Sequence, residues 1–407
     1  MSDLLRAIRS PWRIIGLACV ASGIYATVLR FTQGLGASTN LSDSFPWGLW
    51  VGFDVITGVG LAAGGFAVSA MVYILKVERY RPLARPAILT AFIGYLLVVG
   101  GLLFDLGHPW RIWHPIVMWN PHSVMFEVAW CVTLYTLVLA AEASTLVFEK
   151  MRWKRATRIG HRAAFPLTLA AVLLSMLHQS SLGSLFLIVP GRLHHFWYTP
   201  LLPLLFFISA VAVGLVMTII ESNLSARALG RELEAGLLRE VARIAAVVMT
   251  LYLIIRFSDM ARDGVLLDLW PIDRAGVLLL LELGLGFIIP IALFASERIV
   301  CNARWLYGAA QLALLGFIIN RLNVAIGGFE VVSGKTYTPA WTELAVTLMI
   351  VTVGVTAFRL AARYLPVFER DPLAQPRQRS WAEERKRQAA LGILPGPVPS
   401  LAGSAGA

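Results

Sequence analysis

Residues 85–104 read RPAILTAFIGYLLVVGGLLF, with no charge between Arg85 and Asp105. About twenty apolar residues, wound at ~1.5 Å per residue, cross the ~30 Å hydrocarbon core of a bilayer. The stretch therefore reads as a transmembrane helix, and it is one of a series. Apolar runs cover 12–30, 48–75, 86–104, 123–148, 163–189, 200–220, 241–257, 275–296, 303–323 and 341–363, of which 241–257 is the shortest. The fold expected is all-α and membrane-integral, with about ten transmembrane helices.

Composition agrees. Of 407 residues, 57% are hydrophobic and 14% charged, where a soluble domain carries ~25% charged residues. The net charge of +11 comes from 35 Lys and Arg against 24 Asp and Glu. These basic residues sit in short gaps between apolar runs, and no aromatic-basic stripe or binding motif accompanies them. They set topology, and no nucleic-acid partner is expected.

The gaps alternate in charge. Arg6, Arg9 and Arg13 precede the first run, and Lys76, Arg79, Arg81 and Arg85 follow the second. The gap after the fourth holds Lys150, Arg152, Lys154, Arg155, Arg158 and Arg162, and that after the sixth Arg227, Arg231, Arg239 and Arg243. Arg298 and Arg304 follow the eighth run, and Arg359, Arg363, Arg370 and a basic tail through Lys386 follow the tenth. Lys and Arg collect on the cytoplasmic side. Both termini are therefore expected in the cytoplasm of a bacterial cell, with the chain multi-pass in the inner membrane. Loops 31–47, 105–122, 190–199, 258–274 and 324–340 then face the periplasm. The N-terminal segment reads as a retained first helix, since no cleavage site stands out. The Pro-rich tail from Asp371 to Ala407 reads as largely disordered, with a short helix near Ser380 to Ala390.

Cys19, Cys131 and Cys301 are far apart, and there is no C-x-x-C, C-x-x-C-H or ferredoxin-like run. The chain offers no usual iron–sulfur ligand set and no covalent haem site. Only His178 lies well inside an apolar run, so the paired axial histidines of a membrane b-haem are also lacking, and no haem is expected.

Ionisable groups inside a bilayer need a reason to be there. Run two begins Phe45-Pro46-Trp47-Gly48-Leu49-Trp50-Val51-Gly52-Phe53-Asp54, which puts Asp54 ~10 Å beyond Trp47. Gly60 and Gly64 follow at small-xxx-small spacing, read first as close helix packing. Run three ends in Asp105, His108, Arg111 and His114 among Trp110 and Trp113, and Glu127 sits about one turn inside run four. His178-Gln179-Ser180-Ser181 lies within run five. Asp54, Asp105, His108, Arg111 and Glu127 map to one membrane edge, with His178 deeper, and a four-helix bundle would gather them around one cavity. Arg256, Asp259, Glu282, Asn320 and Arg321 form a weaker set at the same edge, best read as structural ion pairing. Glu142 and Glu221, near the other edge, suggest a proton route from Glu127.

Segments Phe45–Asp54, Arg85–Phe104, Asp105–Trp113 and Trp119–Tyr135 resemble the polysulfide reductase NrfD family. They are most similar to its branch serving as membrane subunit of nickel–iron hydrogenases, often labelled a cytochrome b subunit. The resemblance implies two four-helix bundles, runs two to five and six to nine, flanked by runs one and ten. The corresponding divisions are 1–44, 45–195, 196–335, 336–370 and 371–407. It implies a quinone (menaquinone or ubiquinone) bound near the periplasmic face. The partners implied are a periplasmic ferredoxin-like iron–sulfur subunit and a catalytic subunit, here a nickel–iron hydrogenase. By position, Asp54, Asp105, His108, Arg111, Glu127 and His178 become the quinone-pocket residues, with Asp54 and Glu127 relaying protons. Competing readings are an anchor for a molybdenum enzyme or a multihaem cytochrome complex, and a secondary transporter. The last predicts paired helix breaks at the bilayer midplane, which the sequence does not display.

Overall fold

A computed structural model describes residues 11–230 and 233–368. Arg6, Arg9, Arg231, Arg370 and the segment 371–407, with its expected short helix, lie outside the described residues. Among the described residues, ten helices are long and apolar enough to cross a membrane. They are α1 (Pro11–Gln33), α2 (Trp50–Ile74), α3 (Glu78–Asp105), α4 (Val124–Lys150), α5 (Lys154–Ile188), α6 (Leu202–Leu229), α7 (Ala235–Arg262), α8 (Arg274–Ala295), α9 (Ala303–Ser333) and α10 (Trp341–Tyr364). Among the described residues there is no β-strand, only an isolated bridge between Ser42 and Phe45.

Two expected loops contract. Residues 258–262 extend α7, and 324–333 extend α9, so the connections shorten to 263–273 and 334–340. Polarity had masked these turns. Asp259 on α7 and Glu330 on α9, both in stretches expected as loops, are buried inside the bundle. Helix α5 likewise begins at Lys154, ahead of its apolar run at 163. Its first three turns carry Lys154, Arg158 and Arg162, which hold their charges in water while the backbone stays helical.

The spans form two four-helix bundles. Helices α2 to α5 close one ring of neighbours and α6 to α9 another, and α6 packs on both α5 and α2 to join them. Helices α1 and α10 pair with each other, and α10 lies on α3 and α2. The centre is α2 with α6: 78% and 72% of their most apolar stretches are buried, against 17% for α1 and 22% for α4. The latter two are left to face lipid.

Close approach at the centre depends on glycine. A Cβ on Gly64 would lie 2.8 Å from Gly214 O, and one on Gly60 2.3 Å from the Phe317 ring. The small-xxx-small pair therefore works in packing, against α6 and α9 respectively. In the second bundle a Cβ on Gly316 would fall 1.8 Å from Gly286 Cα, so no side chain fits there.

Three of the inner helices contain π-helical turns beside buried polar groups. Trp50–Thr57 carries Asp54, Gly284–Ile288 follows Glu282, and Asn323–Gly327 begins at Asn323. A π turn widens the helix locally and redirects side chains, a device common at functional sites.

Candidate functional site

The buried stripe of α5 follows the helical repeat through Thr168, Ala171, Ser175, His178 and Leu182. Opposite it, α4 buries Tyr135, Leu139 and Glu142. Between these stripes and α3 lies a polar interior. His178 Nδ1 and the Tyr95 hydroxyl are 2.8 Å apart, and the Tyr95 ring meets Tyr135 edge-on at 4.5 Å. Gln179 Nε2 donates to Val59 O at 3.1 Å, where α2 passes. His178 Nε2, Gln179 Oε1 and Ser69 Oγ are buried with no protein partner. Buried polar atoms of this kind are ordinarily satisfied, so each unmatched one marks room for water, a proton or a ligand atom.

Toward the side bearing the basic loops, the interior ends in two carboxylates. Thr168 Oγ1 donates to Glu142 at 3.0 Å, and Thr90 Oγ1 to Glu221 at 2.7 Å. Glu142 lines a small cavity of about 50 Å³ with Tyr73, Arg85, His161 and Thr168. Arg85 closes it with a bidentate pair to Glu149 at 2.9 and 3.0 Å, and His161 Nε2 shares that carboxylate at 3.1 Å.

The six candidates nominated from sequence divide into three places. His178 occupies the interior just described. Asp54 is buried but turns outward from the first bundle toward α10, where Thr347 Oγ1 donates to it at 2.6 Å; Gly101 on α3 gives it room. Asp105 lies at the end of α3, within the fields of Arg30 and Glu343. Arg30 Nε and Nη2 also hold Phe104 O and Leu106 O at 2.7 and 2.6 Å, capping the carbonyls that α3 leaves open. Glu343 accepts from Tyr337 Oη, from Ala340 N at 2.7 Å and from Asn40 N at 3.1 Å, tying α10 to the first loop. Burial, with Glu343 as neighbour, pushes the Tyr337 phenol above its ordinary value.

His108, Arg111 and Glu127 are exposed, on and beside the segment 106–123. Trp130 Nε1 donates to Pro115 O at 2.8 Å and the Trp119 ring packs at a tilt against Trp130 at 5.0 Å, which holds that segment over the ends of α3 and α4. Beneath it is a groove of about 240 Å³, walled by Leu102, Ile112, Pro115, Trp130, Thr133 and Thr136. Its lining is mostly apolar with two hydroxyls, which suits a flat apolar ring carrying polar ends.

Sequence reading missed Tyr95, Thr347 and Arg30 as partners. Tyr95 stood in an apolar run with nothing to mark it, and its partner is 83 positions away. In the second bundle Glu282, Asn320, Arg321 and Asn323 form a hydrogen-bonded network. Glu282 accepts from Trp197 Nε1 at 2.8 Å, Asn320 Nδ2 at 2.6 Å and Asn323 Nδ2 at 2.9 Å. Arg321 donates to Asn320 Oδ1 at 2.7 Å, Ser209 Oγ at 2.9 Å and Phe206 O at 3.0 Å, between the rings of Phe206 and Phe317. Asn320 thus bridges a carboxylate that accepts three hydrogen bonds and a guanidinium that donates three, while Arg321 Nε is buried without a hydrogen-bond partner among the described residues. Arg256 donates to Phe196 O, and Asp259 pairs with Arg262 at 2.9 Å.

Known proteins resemble this chain in sequence over most of its length. A protein of Nitratidesulfovibrio vulgaris is 37% identical over 382 residues, covering 90% of this chain and 97% of the relative. The probable Ni/Fe-hydrogenase 2 b-type cytochrome subunit of Escherichia coli K12 is 30% identical, covering 91% and 95%. The integral membrane subunit of menaquinone reductase from N. vulgaris is 29% identical, covering 86% and 89%. The family described as Polysulphide reductase, NrfD matches residues 37–333. The chain, with its ten spans and two four-helix bundles, belongs to the NrfD family of integral membrane proteins.

Proposed function

We propose that this chain is the quinone-reactive membrane subunit of a respiratory oxidoreductase. It passes electrons between the quinone pool and an iron–sulfur subunit docked on the face opposite the basic loops. That face is the periplasmic one, by the basic-loop asymmetry, with both termini cytoplasmic. A nickel–iron hydrogenase is the catalytic partner we favour, in line with the 30% identical relative named for one, and menaquinone the quinone we favour, in line with the menaquinone reductase relative.

The observation that carries the reading is the pairing of an aromatic-rimmed groove at one edge with a protonatable interior behind it. A quinone supplies two-electron chemistry that takes up two protons. His108 and Arg111 stand on the segment above the groove as donors for an anionic carbonyl oxygen, and Glu127 stands beside it as a proton relay. Asp54 lies behind α3, where Thr347 orients it, and Asp105 ends α3 within the field of Arg30. The first bundle, within residues 45–195, then holds the reactive site, and the second, within 196–335, holds it in place through the Glu282–Asn320–Arg321 network. Proton exchange with the basic side runs through Glu142 and Glu221, which are hydroxyl-bonded on different helices.

The test is purification of the full chain in mild detergent, with identification of the subunits that accompany it and an assay of quinone reduction by the complex. An iron–sulfur subunit together with a catalytic subunit is the expected result. Recovery of the chain alone, with solute uptake in vesicles, would favour the transporter reading. For the proton route, glutamine is placed at Glu127, Glu142 or Glu221 in sealed vesicles; unchanged translocation in all three rules the route out.

A further inference from the structure

Where α4 ends and α5 begins, on the basic side, a wide groove of about 740 Å³ opens between Arg152, Lys154, Thr157, Arg158, His161 and Arg162. Its one carboxylate, Glu149, is already engaged by Arg85 and His161. Among the described residues, Arg152, Lys154, Arg158 and Arg162 have no ion-pair partner, and all four are exposed. Like charges crowded in this way repel unless something anionic lies among them.

The backbone adds a second observation. Five of the seven residues in the left-handed region are glycines, at 34, 191, 230, 264 and 334. Arg152, at φ 57°, is one of the two exceptions, the other being Lys76. A non-glycine residue there is strained, and strain of this kind persists where a side chain has work to do. The arginine side chain from this turn lines the groove.

The rim identifies the ligand class. Met151, Trp153, Ile159 and Phe165 around the groove are each at least half exposed, and Trp153 stacks on Phe148 at 5.9 Å. Exposed apolar side chains interleaved with cations place the groove at the boundary between headgroups and acyl chains. From Lys154 to Arg162 the cations extend ~12 Å along α5 at the helical rise, wider than one phosphate. The chain's own residues 370–407 carry an excess of Arg and Lys over Asp and Glu, so they lack the complementary sign.

We propose that this groove is a binding site for an anionic phospholipid with two phosphates, of the cardiolipin class. One phosphate is held by Lys154 and Arg158 with Arg152, the other by Arg162 beside His161, while the acyl chains run down the exposed face of α5. His161 also lines the cavity that reaches Glu142, so the bound lipid neutralises the positive mouth of that cavity. The site stands on the membrane assignment alone and is independent of the electron-transfer reading.

The experiment is native mass spectrometry of the delipidated full chain in mild detergent, titrated with cardiolipin, phosphatidylglycerol or inorganic phosphate. Wild type is expected to bind cardiolipin in preference to phosphatidylglycerol, with inorganic phosphate a poor competitor. R158Q/R162Q is expected to bind roughly 30-fold more weakly. R152G is expected to bind about fivefold more weakly and to melt no lower than wild type, since glycine relieves the left-handed turn. Equal binding of cardiolipin and phosphatidylglycerol overturns the two-phosphate site, and full competition by inorganic phosphate makes it a soluble-anion site instead. Unchanged cardiolipin affinity in both variants, each shown to be folded by its melting curve, overturns the assignment of the groove.

Discussion

The pairing of Tyr95 with His178 makes a quantitative prediction about the interior of the first bundle. Tyr95→Phe removes one hydroxyl and leaves the ring in place, so packing against Tyr135 is preserved. His178 already has Nε2 without a partner. Losing the 2.8 Å contact at Nδ1 strips the imidazole of its last protein hydrogen bond. Stranding a buried polar atom costs about 1–3 kcal/mol, and measured side-chain hydrogen bonds within membranes average nearer ~0.6, with a maximum of ~1.7. A destabilisation of about 1–1.5 kcal/mol follows for the tyrosine variant. His178→Leu removes the orphan altogether, so in its background Tyr95→Phe strands nothing new. The double variant is therefore expected to be no less stable than His178→Leu alone, with a coupling of about 1 kcal/mol. The measurement is reversible unfolding in detergent or bicelles for the wild type, both single variants and the double. Effects that add within ~0.3–0.5 kcal/mol refute the pairing, and they would remove the reason for placing His178 at the heart of the polar interior.

Three further outcomes are expected. Glu282→Ala strands donors on Trp197, Asn320 and Asn323 and leaves Arg321 uncompensated, at a cost of about 3–5 kcal/mol; thermal melting of the purified chain checks this, with Glu282→Gln recovering only part of the stability, since both carboxylate oxygens accept and an amide offers one acceptor and no charge. Gly316→Leu meets the Gly286 backbone and is expected to abolish folded protein in the membrane fraction, whereas Gly308→Ala, with nothing within 4 Å, is expected to be silent. Burial, with His195 alongside, pulls His194 below its ordinary imidazole value, and the Phe196 amide donates to its Nδ1 at 3.3 Å, a bond only the neutral ring accepts. The unfolded chain therefore binds the proton more readily. The stability owed to His194 is whole above the unfolded value of ~6.5 and is lost as pH falls through the folded value. Melting temperatures across that window should fall with acidification, and His194→Gln should flatten the curve.

Much of the fold was legible because membrane insertion is read along one dimension. A run such as 86–104 must be long, apolar and helical, since lipid offers its backbone no other partner. Charge placement between runs follows from the same economy of desolvation. The sequence also marked Asp54, Asp105 and His178 as unusual, because a titratable group in an apolar run needs a reason. It could not distinguish a buried polar turn from a loop: α9 continues through Glu330 to Ser333, where a connection was expected from 324.

Tertiary structure alone decided which groups meet. Asp54 and Thr347 are 293 residues apart, and Arg30 caps α3 from 74 positions upstream. Six residues that a linear reading gathered around a shared cavity, five at one edge and His178 deeper, divide among a buried bundle interior, an α1–α2–α3–α10 junction and an exposed aromatic segment. Nothing local dictates that division. It arises from the rotation of each helix about its axis, set by close contacts such as Gly64 against Gly214 and by π turns such as the one around Asp54. Sequence alone determined that this chain is a multi-pass membrane protein of about ten spans with protonatable groups inside it. Packing determined that Tyr95 and His178, and not the whole acidic set, form the polar heart of the first bundle.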